Sequence, residues 1–154
     1  MKNIGAERQL SEYNHVYKEN TAIYRDLSIR LGLNESTFWI LYTLRIEELP
    51  VTQSDMCAIL AYPKQTVNSA LKKLEQEGLL TLFGERGRGG KPIRLTEAGV
   101  KLAEQTVDLV IESEQKALLD FSVEEQAQLL ALTRRYNEAL SLHFGAIGKE
   151  RSHE

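Results

Sequence analysis

The sequence predicts a mainly α-helical fold: a winged helix-turn-helix with a small β-hairpin wing, flanked by long N- and C-terminal helices. Three observations predict it. Apolar residues recur at three- and four-residue steps in six segments, each bounded by a capping residue, a glycine or a proline. Two of the middle segments are separated only by Ala61-Tyr62-Pro63, a tight turn rather than a loop. Residues 79–95 then read as strand, glycine-rich loop and strand.

The elements follow in order. From about Glu7 to Leu31, the residues Tyr13, Val16, Tyr17, Asn20, Tyr24, Leu27 and Leu31 share one helical face, and Gly32 ends the helix. Asn34 can cap a second helix, apolar almost all round with Phe38, Trp39, Leu41, Tyr42 and Leu44, which reads as a central core helix closed by Pro50. Thr52-Gln53-Ser54-Asp55 has the form of a capping box and opens a short helix with Met56, Ile59 and Leu60 expected inward. Pro63 suits the first position of the next helix, which runs from Lys64 to Glu77 and stops at Gly78. Leu79–Phe83 and Pro92–Leu95 are the strands of the hairpin. Thr96 caps one further helix carrying Val100, Ala103, Val107, Val110, Ile111 and Leu118. Ser122-Val123-Glu124-Glu125 is a second capping box, and the last helix holds Leu129, Leu132, Tyr136, Leu140 and Phe144. The winged helix-turn-helix part is therefore expected over 34–99, within a single chain of 1–154, with flanking helices over 7–31 and 100–144.

Charge is distributed unevenly. The chain carries a net −3. Between Lys64 and Arg94, seven lysines and arginines face three glutamates, a net +4, and the remainder carries −7. A basic centre between acidic ends is more informative than the total. The single cysteine, Cys57, permits no intrachain disulfide. The first ten residues have no apolar run, and no stretch approaches the ~18 apolar residues of a membrane span. A cytoplasmic protein without membrane contact is expected.

An α-helix fits the DNA major groove if its inner face is apolar and its outer face polar. In the Lys64–Glu77 segment, Val67, Ala70, Leu71 and Leu74 form the inner stripe. Lys64, Gln65, Thr66, Asn68, Ser69, Lys72 and Lys73 are left outward. Gln and Asn pair with adenine edges, Lys with guanine or phosphate, and the Thr methyl with thymine. The N-terminal five suit base edges, and Lys72 and Lys73 suit phosphate. Periodicity alone describes a plain solvated helix equally well; the capped helix before it and the basic hairpin after it favour the DNA reading. In the hairpin, Arg86, Arg88 and Lys91 stand among glycines, and an arginine on an extended arm can enter the minor groove. The tip lacks the GxxxxGK[ST] pattern of a phosphate-cradling loop.

On Val51–Met56, Thr66–Leu80 and Ile93–Gly99, the chain resembles the MarR family of bacterial regulators. The middle stretch looks like that family's recognition helix leading into its first wing strand, and the last like its second wing strand and the helix start after it. The family's wing usually reads Asp-x-Arg-Asp-x-Arg, whereas this tip reads Glu85-Arg86-Gly87-Arg88-Gly89-Gly90. Arg88 is the better match for the minor-groove arginine and Arg86 the alternative. The resemblance implies a homodimer built from the first helix and the last two. The apolar surface of Val107, Val110, Ile111, Leu118, Leu129, Leu132, Tyr136 and Leu140 agrees with that. It implies a palindromic operator, with recognition helices ~34 Å apart. It also implies a repressor relieved by a small aromatic or phenolic effector, for which Tyr13, Tyr17, Tyr24 and Trp39 are candidate pocket residues. Those four read equally as packed aromatics.

Other classes find less support. Residues 1–33 contain no cysteine for oxidation sensing, and Cys57 reads as a buried, inert thiol. His15, His143 and His153 are scattered, so no metal and no cofactor is expected. No nucleophile motif or cofactor fingerprint points to an enzyme. The alternative is a winged-helix protein-interaction module without DNA affinity, against which the +4 segment argues.

Overall fold

The computed structural model describes residues 4–83 and 90–147. In chain order these form α1 (Ile4–Arg30), α2 (Glu35–Ile46), α3 (Gln53–Leu60), α4 (Lys64–Gln76), β1 (Leu80–Leu82), β2 (Ile93–Leu95), α5 (Glu97–Glu104), α6 (Val107–Leu119) and α7 (Val123–Phe144). The fold is mainly helical with one small antiparallel sheet, as the sequence predicts. Residues 1–111 and 112–154 form two compact units.

The boundaries follow from local chemistry. Helix ends leave backbone N–H and C=O groups without helical partners, and here side chains or turns supply them. Asn34 accepts the Thr37 N–H at 2.9 Å to start α2. At α3 both arms of the capping box are made: the Asp55 N–H donates to Thr52 Oγ1 at 3.2 Å, and the Thr52 N–H donates to the Asp55 carboxylate at 2.9 Å. Ser122 and Glu125 repeat the arrangement at α7, at 3.2 and 2.8 Å. Gly32 and Gly78, just past α1 and α4, have φ of 70° and 72°, a left-handed conformation that glycine adopts without steric cost. Pro63 is one position earlier than expected, at the N-cap of α4 rather than inside it.

Two hydrophobic clusters share α2. Ile40 joins Val51, Met56, Val67, Leu71, Leu74, Leu80 and Ile93, the core of the winged part. Phe38 and Leu41 join Ala103, Val107 and Val110, with Tyr24, Leu27, Leu31, Trp39 and Tyr42 packed around them. Arg45 also binds Asp108 through two hydrogen bonds of 2.8 and 2.5 Å, a fork that ties the end of α2 to the start of α6.

Three expectations are corrected. Ile59 is 47% exposed, because α3 turns only Met56 fully inward. The single helix expected after Thr96 is two, α5 and α6, broken at Gln105-Thr106. There the Thr106 N–H bonds to Ala103 O in a tighter turn, while Thr106 Oγ1 donates to Leu102 O at 2.6 Å. Val107 and Val110 are buried within the chain's own second cluster and Ile111, Tyr136 and Leu140 are half-buried, so of the expected dimer surface Leu118, Leu129 and Leu132 are exposed.

Candidate nucleic-acid interface

α4 is built for two environments. Val67, Leu71 and Leu74 are buried and Ala70 is half-buried, the inner stripe the spacing predicts. Lys64, Gln65, Thr66, Asn68, Ser69, Lys72 and Lys73 are all exposed. Lys73 makes a loose ion pair with Glu77 at 3.9 Å, both side chains about half exposed, so it costs little to open. The turn from α3 into α4 is tight. Ala61 sits at φ 51°, ψ 34°, a left-handed conformation that an alanine holds only where surrounding structure requires it. Tyr62 beside it donates from its hydroxyl to Glu35 at 3.4 Å. Burial, with the Glu35 charge behind it, pushes the Tyr62 phenol above its ordinary value, so it stays a neutral donor.

An open groove of about 360 Å³ runs beside α4, lined by Gln53, Asn68, Leu71, Lys72, Glu75, Leu80 and Leu82. Gln53 is the residue that sequence reasoning missed there. It occupies the first turn of α3, and only the packing of α3 against α4 brings it beside Asn68.

The hairpin pairs Leu80 with Leu95, Thr81 with Arg94 and Leu82 with Ile93. Its base is fixed from several sides. The Ile93 N–H donates to Val51 O at 2.8 Å, and the Phe83 N–H to Pro92 O at 2.8 Å. Thr96 caps α5 through the Gly99 N–H and also donates from Oγ1 to Gly78 O at 2.6 Å. Lys91 is exposed near the start of β2. Arg86 and Arg88 lie outside the described residues.

The four candidate pocket aromatics fall into two pairs. Tyr24 packs on Trp39 with ring centroids 5.2 Å apart, inside a cluster with Phe38 and Tyr42. Tyr13 stacks on Tyr17 at 6.5 Å on an exposed stretch of α1. Cys57 is half-buried against the first core. Among the described residues, no three His, Cys, Asp or Glu side chains come together as metal ligands. No helix there is long and apolar enough to cross a membrane.

Comparison with known proteins places this architecture. The family model for the MarR family matches residues 31–89. A MarR family regulator from Neisseria meningitidis is 25% identical, with 89% of this chain and 96% of that one covered at a TM-score of 0.77. S. aureus MepR, solved as a DNA complex, is 24% identical, with 83% and 96% covered and a TM-score of 0.67. S. aureus MarR, solved with salicylate and kanamycin, is 18% identical, with 90% and 93% covered and a TM-score of 0.65. No curated protein sequence matches. The segment 31–89 thus matches the MarR family model, and the fold across the chain is that of solved MarR family regulators.

Proposed function

We propose that the chain is a cytoplasmic, sequence-specific regulator of transcription that binds duplex DNA. It acts as a homodimer on a palindromic operator, and as a repressor that a small aromatic or phenolic ligand relieves. One observation carries the DNA reading: α4 exposes seven polar or basic side chains while its apolar stripe is buried, beside a hairpin whose tip is basic. Gln65, Thr66, Asn68, Ser69 and Lys64 read base edges, Lys72 and Lys73 hold phosphate, and Arg88 or Arg86, with Lys91, engages the minor groove. MepR's DNA complex supports the partner class.

The homodimer reading rests on surface left uncovered. α7 buries no residue, and Leu129, Leu132, Leu142 and Phe144 are at least half exposed. α1 buries only Ser28, leaving Ile4, Leu10, Val16, Tyr17 and Ile23 open. Exposed apolar runs of this length call for a partner. For the effector, the salicylate complex of S. aureus MarR supports a phenolic class, and the Tyr24–Trp39 pair is an aromatic seat packed against the second core.

The test is retention of random-sequence duplex DNA at two salt concentrations, followed by sequencing of what is kept. Binding that falls steeply with salt and enriches a palindrome is expected. No retention at low salt by folded protein would refute the DNA reading and favour a protein-interaction module.

A further inference from the structure

We propose that Arg94, held over the ring of Phe83, is a further DNA contact: a pre-oriented phosphate clamp on the flank of the wing. This rests on the DNA-binding reading and extends it to a residue outside both the α4 face and the hairpin tip.

The two-residue period of the strands puts Thr81, Phe83 and Arg94 on one face of the hairpin, with Thr81 directly opposite Arg94. Leu80 and Ile93 point the other way and are buried. The face that carries Arg94 is open: Thr81 and Arg94 are exposed and Phe83 is 52% exposed. An exposed phenylalanine just past a short strand does little for the core. Here it seats a cation, with Arg94 Cζ 3.9 Å from the ring centroid. A guanidinium seated over a ring through its central carbon keeps N–H groups available, the fork that matches two phosphate oxygens. Among the described residues no carboxylate pairs with Arg94. Its charge is therefore not neutralised within that part of the chain.

The platform is also stiff. β2 is held along one edge by β1 and along the other by the bond from the Ile93 N–H to Val51 O. A side chain ordered before binding loses less freedom on binding. The opposite face of the hairpin, with Leu80 and Leu82, borders the groove beside α4. Arg94 thus points away from the helix that reads bases, and a phosphate is the DNA group that suits it. Its contribution is to affinity on every sequence, not to base choice.

The test uses the full chain, with affinities for a selected operator and for random duplex measured across a salt series. Arg94→Ala is expected to weaken both by the same factor, roughly tenfold, and to flatten the slope of log affinity against log salt. The change is about 0.9 per bound protomer, or about 1.8 for a dimer. Phe83→Leu keeps the charge and removes the seat, so affinity falls a few-fold with the slope unchanged; Arg94→Lys behaves likewise. An Arg94→Ala variant with the wild-type slope overturns the proposal. So does a Phe83→Leu variant whose slope drops as far as that of Arg94→Ala, which would mean that the hairpin itself had been lost. If the wild type binds no duplex at low salt, the DNA-binding reading fails first and the clamp with it.

Discussion

Gly99→Ala sets two effects of opposite sign against each other. Gly99 lies in the first turn of α5, where alanine is the better helix former by ~1 kcal/mol. On propensity alone the substitution stabilises. The structure argues otherwise. A Cβ at position 99 would stand 1.9 Å from Leu79 O and 2.9 Å from Leu79 C, where real Cβ atoms keep at least 3.0 Å. Both are backbone atoms of the chain leading into β1, so no side chain can swing aside. α5 must retreat from β1 by about 1 Å. That retreat strains the bond from the Thr96 N–H to Leu79 O at 3.0 Å and the one from Thr96 Oγ1 to Gly78 O at 2.6 Å. Two such bonds are worth ~1–3 kcal/mol together. Overpacking costs ~1–3 kcal/mol more. Less the ~1 kcal/mol of propensity, the net loss is ~1–5 kcal/mol. For a chain of this size that lowers Tm by ~2–20 °C. Thermal melts of both proteins, at one concentration because self-association would make the melt concentration-dependent, measure it. A variant that melts at or above the wild-type temperature would refute the close-approach argument and leave propensity as the ruling effect.

Three further outcomes are expected. Gln65→Ala or Asn68→Ala relaxes base preference by ~1–3 kcal/mol of discrimination per lost bidentate pair, whereas Arg88→Ala weakens binding to all sequences; competition with operator variants separates the two, and equal losses for all three substitutions would contradict the assigned roles. Ala61→Gly relieves a left-handed alanine and raises stability by ~0.5–1 kcal/mol in a denaturant titration. Hydrogen bonds from the Thr52 hydroxyl, and then from its backbone N–H, hold the Asp55 carboxyl below its ordinary 3.8. The α3 cap therefore contributes fully above that value and is lost as pH falls through the lower folded one. In Thr52→Ala, the Asp55 titration followed by NMR moves up toward 3.8, and an unmoved midpoint would remove Thr52 as the cause.

Much of the fold was legible because its signals are local. The caps at Asn34, Thr52, Thr96 and Ser122 each act within three residues, and the stripe on α4 repeats at the helical period. What escaped the sequence depends on contacts between distant segments. No proline or glycine marks the break at Gln105-Thr106. It comes from Thr106, whose hydroxyl bonds back to Leu102 O. Ile59 fits the inward period, but an eight-residue helix has too few turns to bury a full stripe. Gln53 joins the α4 groove only through the packing of two helices, and Arg94 finds Phe83 only through strand register. The seven outward residues of α4 were readable as a set, since a helix that buries one stripe must expose the rest.

The sharing of α2 between two cores has a consequence for protein engineering. Ile40 and Leu41 are sequence neighbours, yet one packs in the winged core and the other in the second cluster. Inserting a single residue before them would rotate both about 100°, moving Ile40 into the slot of Leu41 and Leu41 into that of Tyr42. The winged part therefore cannot be transplanted onto a relative's flanking helices by a cut through α2. A chimera would have to carry α2 whole, together with the partners of Phe38 and Leu41 on α1, α5 and α6, or accept a mismatched seam in one core.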